Sequence, residues 1–260
     1  MINKKLYEMR IEPEIQFLFL VTIITGASLI LKSCTKEDNL IEYGIVTDID
    51  GNSYKTVKIG SQCWMAENLK TTRFNDGMDI PVVKDGSVWA ALSTPGYCWF
   101  MNDEVTNKTP FGGLYNWHTV SSGNLCPTGW HVPTNQEWNI LIDYLIANGY
   151  NYDGTTTDNK IAKSLASTSG WRKSGAIGTP GSADHPANTN KSGFTALPGS
   201  CRYYDGTFPI YGIGGGCMMW SSTEHSAELA YYFGMGSGSC AVQTIYYYKK
   251  EGYSVRCLLD

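Results

Sequence analysis

Between Leu125 and Gly149 the large apolar positions fall on one helical stripe. Trp138, Leu141, Ile142 and Leu145 stand at i, i+3, i+4 and i+7, with Asn139, Asp143 and Asn148 turned elsewhere. Thr134 and Glu137 have capping-box spacing, Pro133 fixes the entry and Gly149 supplies a left-handed stop, so a helix is predicted from Thr134 onward. Cys126, just upstream, is placed to tie that helix to a distant segment. The stripe needs a partner surface, and the Gly- and aromatic-rich remainder predicts that the partner is sheet.

The pattern changes to period two over Gly44 to Gly60, where Ile45, Thr47 and Ile49, a turn at Asp50-Gly51-Asn52, and then Tyr54, Thr56 and Val57 predict a β-hairpin. Asp48, Asp50 and Asn52 are read as turn residues rather than a calcium loop, because Gly51 comes too early for one. Residues 75–107 read as loop, with a short helix around Val88 to Leu92 and a buried strand at Tyr97 to Phe100. Asp158 is expected to cap a second short helix in which Ile161, Ala162 and Leu165 share a face. Ser167 to Ser192 is too polar to form core and reads as a long surface loop. Further strands are predicted at Gly193–Leu197, Arg202–Tyr204, Phe208–Tyr211, Met218–Ser222, Ala230–Met235, Val242–Tyr248 and Tyr253–Leu258.

Composition adds location. The chain has 260 residues, a net charge of −4 and 17% charged residues, and it lacks the basic face that nucleic acid requires. Lys4, Lys5 and Arg10 precede an apolar run from Phe17 to Leu31, too short for a comfortable membrane span and suited to a signal peptide. The run ends in Leu31-Lys32-Ser33-Cys34, which resembles a bacterial lipobox, although Lys32 departs from the usual small residue there. The expected organisation is a lipoprotein signal peptide over 1–34 with lipid on Cys34, an acidic tether over 35–43 and one domain over 44–260. The alternatives are an uncleaved anchor or a secreted form, with translation starting at Met1 or Met9. The other cysteines, at 63, 98, 126, 201, 217, 240 and 257, include no C-x-x-C pair, a spacing that fits disulfides better than zinc.

Five ordered motifs carry a resemblance. They are Gly60-Ser61-Gln62-Cys63-Trp64-Met65-Ala66-Glu67-Asn68-Leu69, Cys126-Pro127-Thr128-Gly129-Trp130-His131-Val132-Pro133-Thr134 with Glu137-Trp138, Gly193-Phe194-Thr195-Ala196-Leu197-Pro198-Gly199, Trp220-Ser221-Ser222-Thr223-Glu224, and Tyr253-Ser254-Val255-Arg256-Cys257. Together they resemble the Fibrobacter succinogenes major paralogous domain over residues 44–260. That family is similar to the formylglycine-generating-enzyme branch of the C-type-lectin-like fold. The resemblance implies an α+β domain with twisted antiparallel sheet, few helices, long irregular loops and paired terminal strands. It also implies a disulfide between Cys126 and Cys257, with Cys63–Cys98 as a second pair.

Function is narrowed by what the motifs lack. A copper-dependent oxidase of protein cysteine, as in the enzyme branch, would need Cys201 with Cys217 or Cys240, whose neighbours do not match its active-site motifs. The histidines at 118, 131, 185 and 225 belong to no hydrolase motif, and His131 reads as a structural residue. No cofactor or metal is expected. The reading is a non-catalytic lectin-like domain, anchored in the outer membrane and probing an extracellular polysaccharide or envelope protein. A structural subunit of a surface assembly is the other non-enzymatic alternative. Tyr203, Tyr204, Trp220 and Glu224 are the candidate ligand residues, within a wider set of Tyr211 and Tyr246 to Tyr248. Strand alternation predicts that at least half of those aromatics are core. No E-P-N or Q-P-D triplet of calcium-dependent sugar binding occurs.

Overall fold

In the computed structural model, which describes residues 43–260, Asp48 closes the first hairpin with its side chain. Its Oδ1 accepts from the amides of Asp50 and Asn52 at 2.9 Å, and its Oδ2 accepts the Tyr54 hydroxyl at 2.6 Å. The turn thereby joins β1 (Tyr43–Thr47) to β2 (Ser53–Ile59), and β3 (Gln62–Met65) follows antiparallel to β2. Asp50 also binds Arg73 and Thr72, so the acidic turn is spent on protein contacts.

The next stretch holds more helix than its polarity predicts. Besides α1 (Gly86–Ala91), it forms β4 (Tyr97–Cys98), α2 (Glu104–Phe111), β5 (Leu114–Tyr115) and α3 (Trp117–Val120). Asp103 caps α2 by accepting from the Thr106 amide, and of its residues only Asn107 is buried, so no apolar stripe announces it. The strand expected to run to Phe100 stops at Cys98, because Phe100 opens a 3-10 turn.

The predicted helix is present as α4 (Asn135–Ala147), after a short β6 (Trp130–His131), with both halves of the capping box made and Gly149 at φ 71°. Trp138, Leu141, Ile142 and Leu145 are its buried residues. The partner is sheet, as the pattern predicts: Trp138 stacks on Phe233 at 4.5 Å and meets Trp64 at 4.6 Å. His131 is held between Asp260 at 2.6 Å and Glu137 at 3.0 Å, a structural role.

α5 (Ala162–Leu165) exists, but Asp158 does not cap it. Asp158 lies at φ 61°, and Ile161 occupies the cap position without a side-chain bond. The polar 167–192 loop is stitched inward by Lys163, whose buried ammonium donates to Thr179 O, Ser182 O and Asp184 Oδ1. Three predicted strands after it are irregular backbone. Thr195 adopts φ 58°, Arg202 makes only an isolated bridge to Gly252, and Phe208 packs edge-on to Phe100.

The remaining strands are β7 (Gly216–Glu224), β8 (Leu229–Gly236) and β9 (Val242–Tyr248), an antiparallel sheet in that order, and β10 (Leu258–Leu259). β10 lies between β3 and β6 in a sheet of order β1-β2-β3-β10-β6, so the end of the chain is woven into the first sheet. The architecture is mixed α and β, with mostly antiparallel sheet and few helices. Pairing of β10 with β6 sets Cys257 beside Cys126, and the two form a disulfide with Cα atoms 6.0 Å apart. Cys98, by contrast, is a free thiol buried in the cluster of Trp89, Phe100 and Leu114, so the expected Cys63–Cys98 pair does not form. The lipobox, Cys34 and residues 35–42 of the tether lie outside the described residues.

Candidate functional site

Among the described residues β9 pairs only with β8, which makes it the edge of its sheet. Val242 at its start is buried beside α4, but Ile245, Tyr246, Tyr247 and Tyr248 are 39–47% exposed, on both faces of the strand. The expectation that half of the wider aromatic set is core is therefore overturned. Alternation buries one face only where something covers it, and of β9 only Val242 joins the core cluster into which α4 packs. Of that set, Trp220 alone is buried.

A second segment brings Tyr203 and Tyr204 to the same place. Arg202 exchanges two backbone hydrogen bonds with Gly252, and its guanidinium donates to Val83 O, Lys84 O and Gly206 O, which pins the base of a turn over 203–206. At its tip the Tyr204 ring meets Tyr248 at 4.7 Å, and Tyr247 meets Tyr248 at 5.2 Å. The result is a cluster of exposed phenol rings around the end of an edge strand.

Under the turn lies Glu251, only 1% exposed. Its Oε1 accepts the Tyr204 amide at 3.1 Å, whereas its Oε2 is buried with no hydrogen-bond partner. Burial pushes this carboxyl up to about 8 against the Tyr204 amide bond, which favours the ionised form, and the nearby Asp205 charge adds to the rise. Cys201 is likewise pushed up to about 12 by burial. The two lysines before Glu251 face away from it. Lys249 binds Glu224 and Ala227 O and lies 4.7 Å over the Trp117 ring, and Lys250 donates to Ala90 O. Near the rings, then, both ammonium groups of this segment are already engaged.

The structure brings three of the four predicted ligand residues to one region. Tyr203 and Tyr204 are in the cluster, and Glu224 joins its margin through Lys249, the neighbour of Tyr248. Trp220 is a correction. It is fully buried, donates its indole N–H to Tyr115 O at 2.7 Å and packs on Tyr253, so it floors the region without being able to touch a ligand. Alternation missed this because both faces of β7 are covered, Met219 on one and Trp220 on the other. Tyr211 stands apart, its backbone oxygen and ring held by Arg172. A second exposed ring group lies nearby in sequence, where His225 stacks on Tyr246 at 3.7 Å. Glu251 was not anticipated. Its only sequence signal is a carboxylate between the Tyr246–Tyr248 run and Tyr253.

Cys201 and Cys217 are both free thiols, packed in different core clusters. Among the described residues no group of three or more His, Cys, Asp or Glu side chains is placed to hold a metal ion, and no helix is long and apolar enough to cross a membrane. No curated protein and no solved structure matches the chain. One family model does, over residues 57–258, a span that contains the capped helix and the whole tyrosine region. By that match, and by the ordered motifs it spans, the chain belongs to the Fibrobacter succinogenes major domain family.

Proposed function

We propose that the protein is a non-catalytic binder of extracellular carbohydrate, carried on the outer membrane by lipid on Cys34, and that its domain is a C-type-lectin-like fold. The observation that carries the binding reading is the cluster of Tyr203, Tyr204, Tyr247 and Tyr248, four exposed rings on two segments locked together at Arg202 and Gly252. Sugar rings present apolar C–H faces that stack on phenols, and rings held by paired backbone lose little freedom on binding. With Lys249 and Lys250 engaged internally, the region favours a neutral polysaccharide over an anionic one. The lectin-like assignment is supported by the Cys126–Cys257 bridge and by the return of the last strand between β3 and β6. A copper oxidase is disfavoured by the separation of Cys201 from Cys217 into different clusters.

A glycan array probed with the purified protein, with and without calcium, tests the reading. Calcium-independent retention of neutral glycans is expected, and a blank array would turn the assignment toward an envelope-protein partner. Metabolic labelling with a lipid analogue is expected to mark the wild type and not Cys34→Ala; equal labelling of both would remove the anchor.

A further inference from the structure

We propose that Glu251 is a proton-operated latch, its protonated carboxyl holding the Tyr203–Tyr204 turn against the end of β9 and its ionisation releasing that half of the tyrosine cluster. The inference rests on the carbohydrate reading for its consequence; the latch itself rests on the geometry of the buried carboxyl, with its raised proton affinity setting the pH range. Glu251 Oε1 is the side-chain atom that holds the Tyr204 amide, at 3.1 Å, and Tyr204 in turn covers Tyr248. Glu251 Oε2 is buried without a partner. A neutral carboxyl tolerates that position at the cost of one missing hydrogen bond. A carboxylate there is an unpaired buried charge, far more costly, and it lowers its energy by reaching water. The turn that covers it is pinned at its base by Arg202, and at its tip the Tyr204 amide is held by the same carboxyl.

The groups facing Glu251 leave it alone to act in the neutral range. From the turn come Cys201, Tyr203 and Asp205, from β8 Tyr232, from β9 Tyr247, and from its own segment Tyr253. The tyrosines and the thiol are all raised above their ordinary values, chiefly by burial, and hydrogen bonds from Thr207 lower Asp205, so none of these titrates between pH 6 and 8. The closed turn keeps the Glu251 proton up to about pH 8. An opened, hydrated carboxyl keeps it only to about 4.3. Opening therefore releases a proton, and the open population grows with pH between those limits and levels off above the upper one.

Hydrogen exchange of the Tyr204 amide in the full chain, corrected for the intrinsic rate and compared at pH 6 and pH 8, tests the latch without any ligand. Two-state linkage between those proton affinities makes the protection fall by about fiftyfold. In parallel, retardation of the protein in native gels cast with a soluble neutral glucan is expected to weaken over the same interval. Protection that stays constant or rises with pH overturns the latch, whatever the gels show. Protection that falls while no glucan is bound at either pH upholds the latch and overturns the carbohydrate reading. Glu251→Gln, which keeps the acceptor for Tyr204 but cannot ionise, is expected to show the same protection at both pH values; a surviving fall in that variant also overturns the proposal.

Discussion

Replacing Arg256 by methionine is expected to lower the stability of the protein by about 3–5 kcal/mol, as measured by urea denaturation. Arg256 is fully buried and sits three residues after Tyr253, where the chain returns to the first sheet. Its Nε donates to Asn68 Oδ1 at 2.9 Å, its two terminal nitrogens donate to Phe194 O and Thr195 O, and its Cζ lies 4.4 Å from the Phe194 ring centroid. Methionine replaces much of the stem but none of the donors. Three acceptors then lose their partner, at roughly 1–3 kcal/mol for each that stays buried, partly relieved by relaxation. The damage spreads because Phe194 packs on both Trp64 and Trp138, which join α4 to the sheets. Lysine at this position keeps a charge but not the planar fork that reaches three acceptors, so Arg256→Lys should restore little. An unchanged denaturation midpoint in Arg256→Met would show that the 193–197 segment is held by something else.

The second large effect is expected from the double replacement of Cys126 and Cys257 by alanine. The bond closes a loop with a sequence separation of 131 residues. Restriction of the unfolded chain by so long a loop corresponds to about 5 kcal/mol in the chain-entropy model, and removal of native disulfides typically costs about 2–5 kcal/mol. For a domain of this size that corresponds to a melting temperature lower by roughly 4–20 °C. The same bond holds the last strand to the segment before α4, so the loss should fall on β10 and β6 first, as faster hydrogen exchange at Leu258 and His131. A melting temperature indifferent to the double replacement would mean that the denatured chain is already restricted there.

Arg256 also shows what could and could not be read from the chain. α4 was legible because everything that makes it is local: Thr134 and Glu137 three apart, one apolar stripe, and Gly149 at the end. β7, β8 and β9 were legible for the same reason, as alternating runs cut by glycines and short turns. The 193–211 stretch looked equally strand-like and is not, because its path is set by buried cations far away in sequence. Arg256 reaches back 62 residues to Phe194 O, and Arg202 reaches 119 residues to Val83 O. No window of local pattern contains such contacts.

The candidate site divides along the same line. Tyrosine runs at 203–204 and 246–248 marked the region, but their exposure depends on β9 being an edge, a fact of topology rather than of alternation. Glu251 lies in a Lys-Lys-Glu-Gly run that reads as a solvated turn. Its burial depends on a segment 47 residues earlier folding over it. Trp220 failed as a ligand residue for the complementary reason, since nothing in its own strand says that both faces are covered.

The reading turns on whether the phenol rings at the end of β9 are the binding surface. Affinity for a neutral polysaccharide, measured by titration calorimetry at pH 6 for the wild type and for the double variant Tyr204→Ala and Tyr247→Ala, addresses it most directly. Loss of two stacking rings at about 1–2 kcal/mol each predicts an affinity at least tenfold weaker, with folding unchanged because both side chains are substantially exposed. A double variant that binds as tightly as the wild type would place the sugar elsewhere on the molecule and contradict the account.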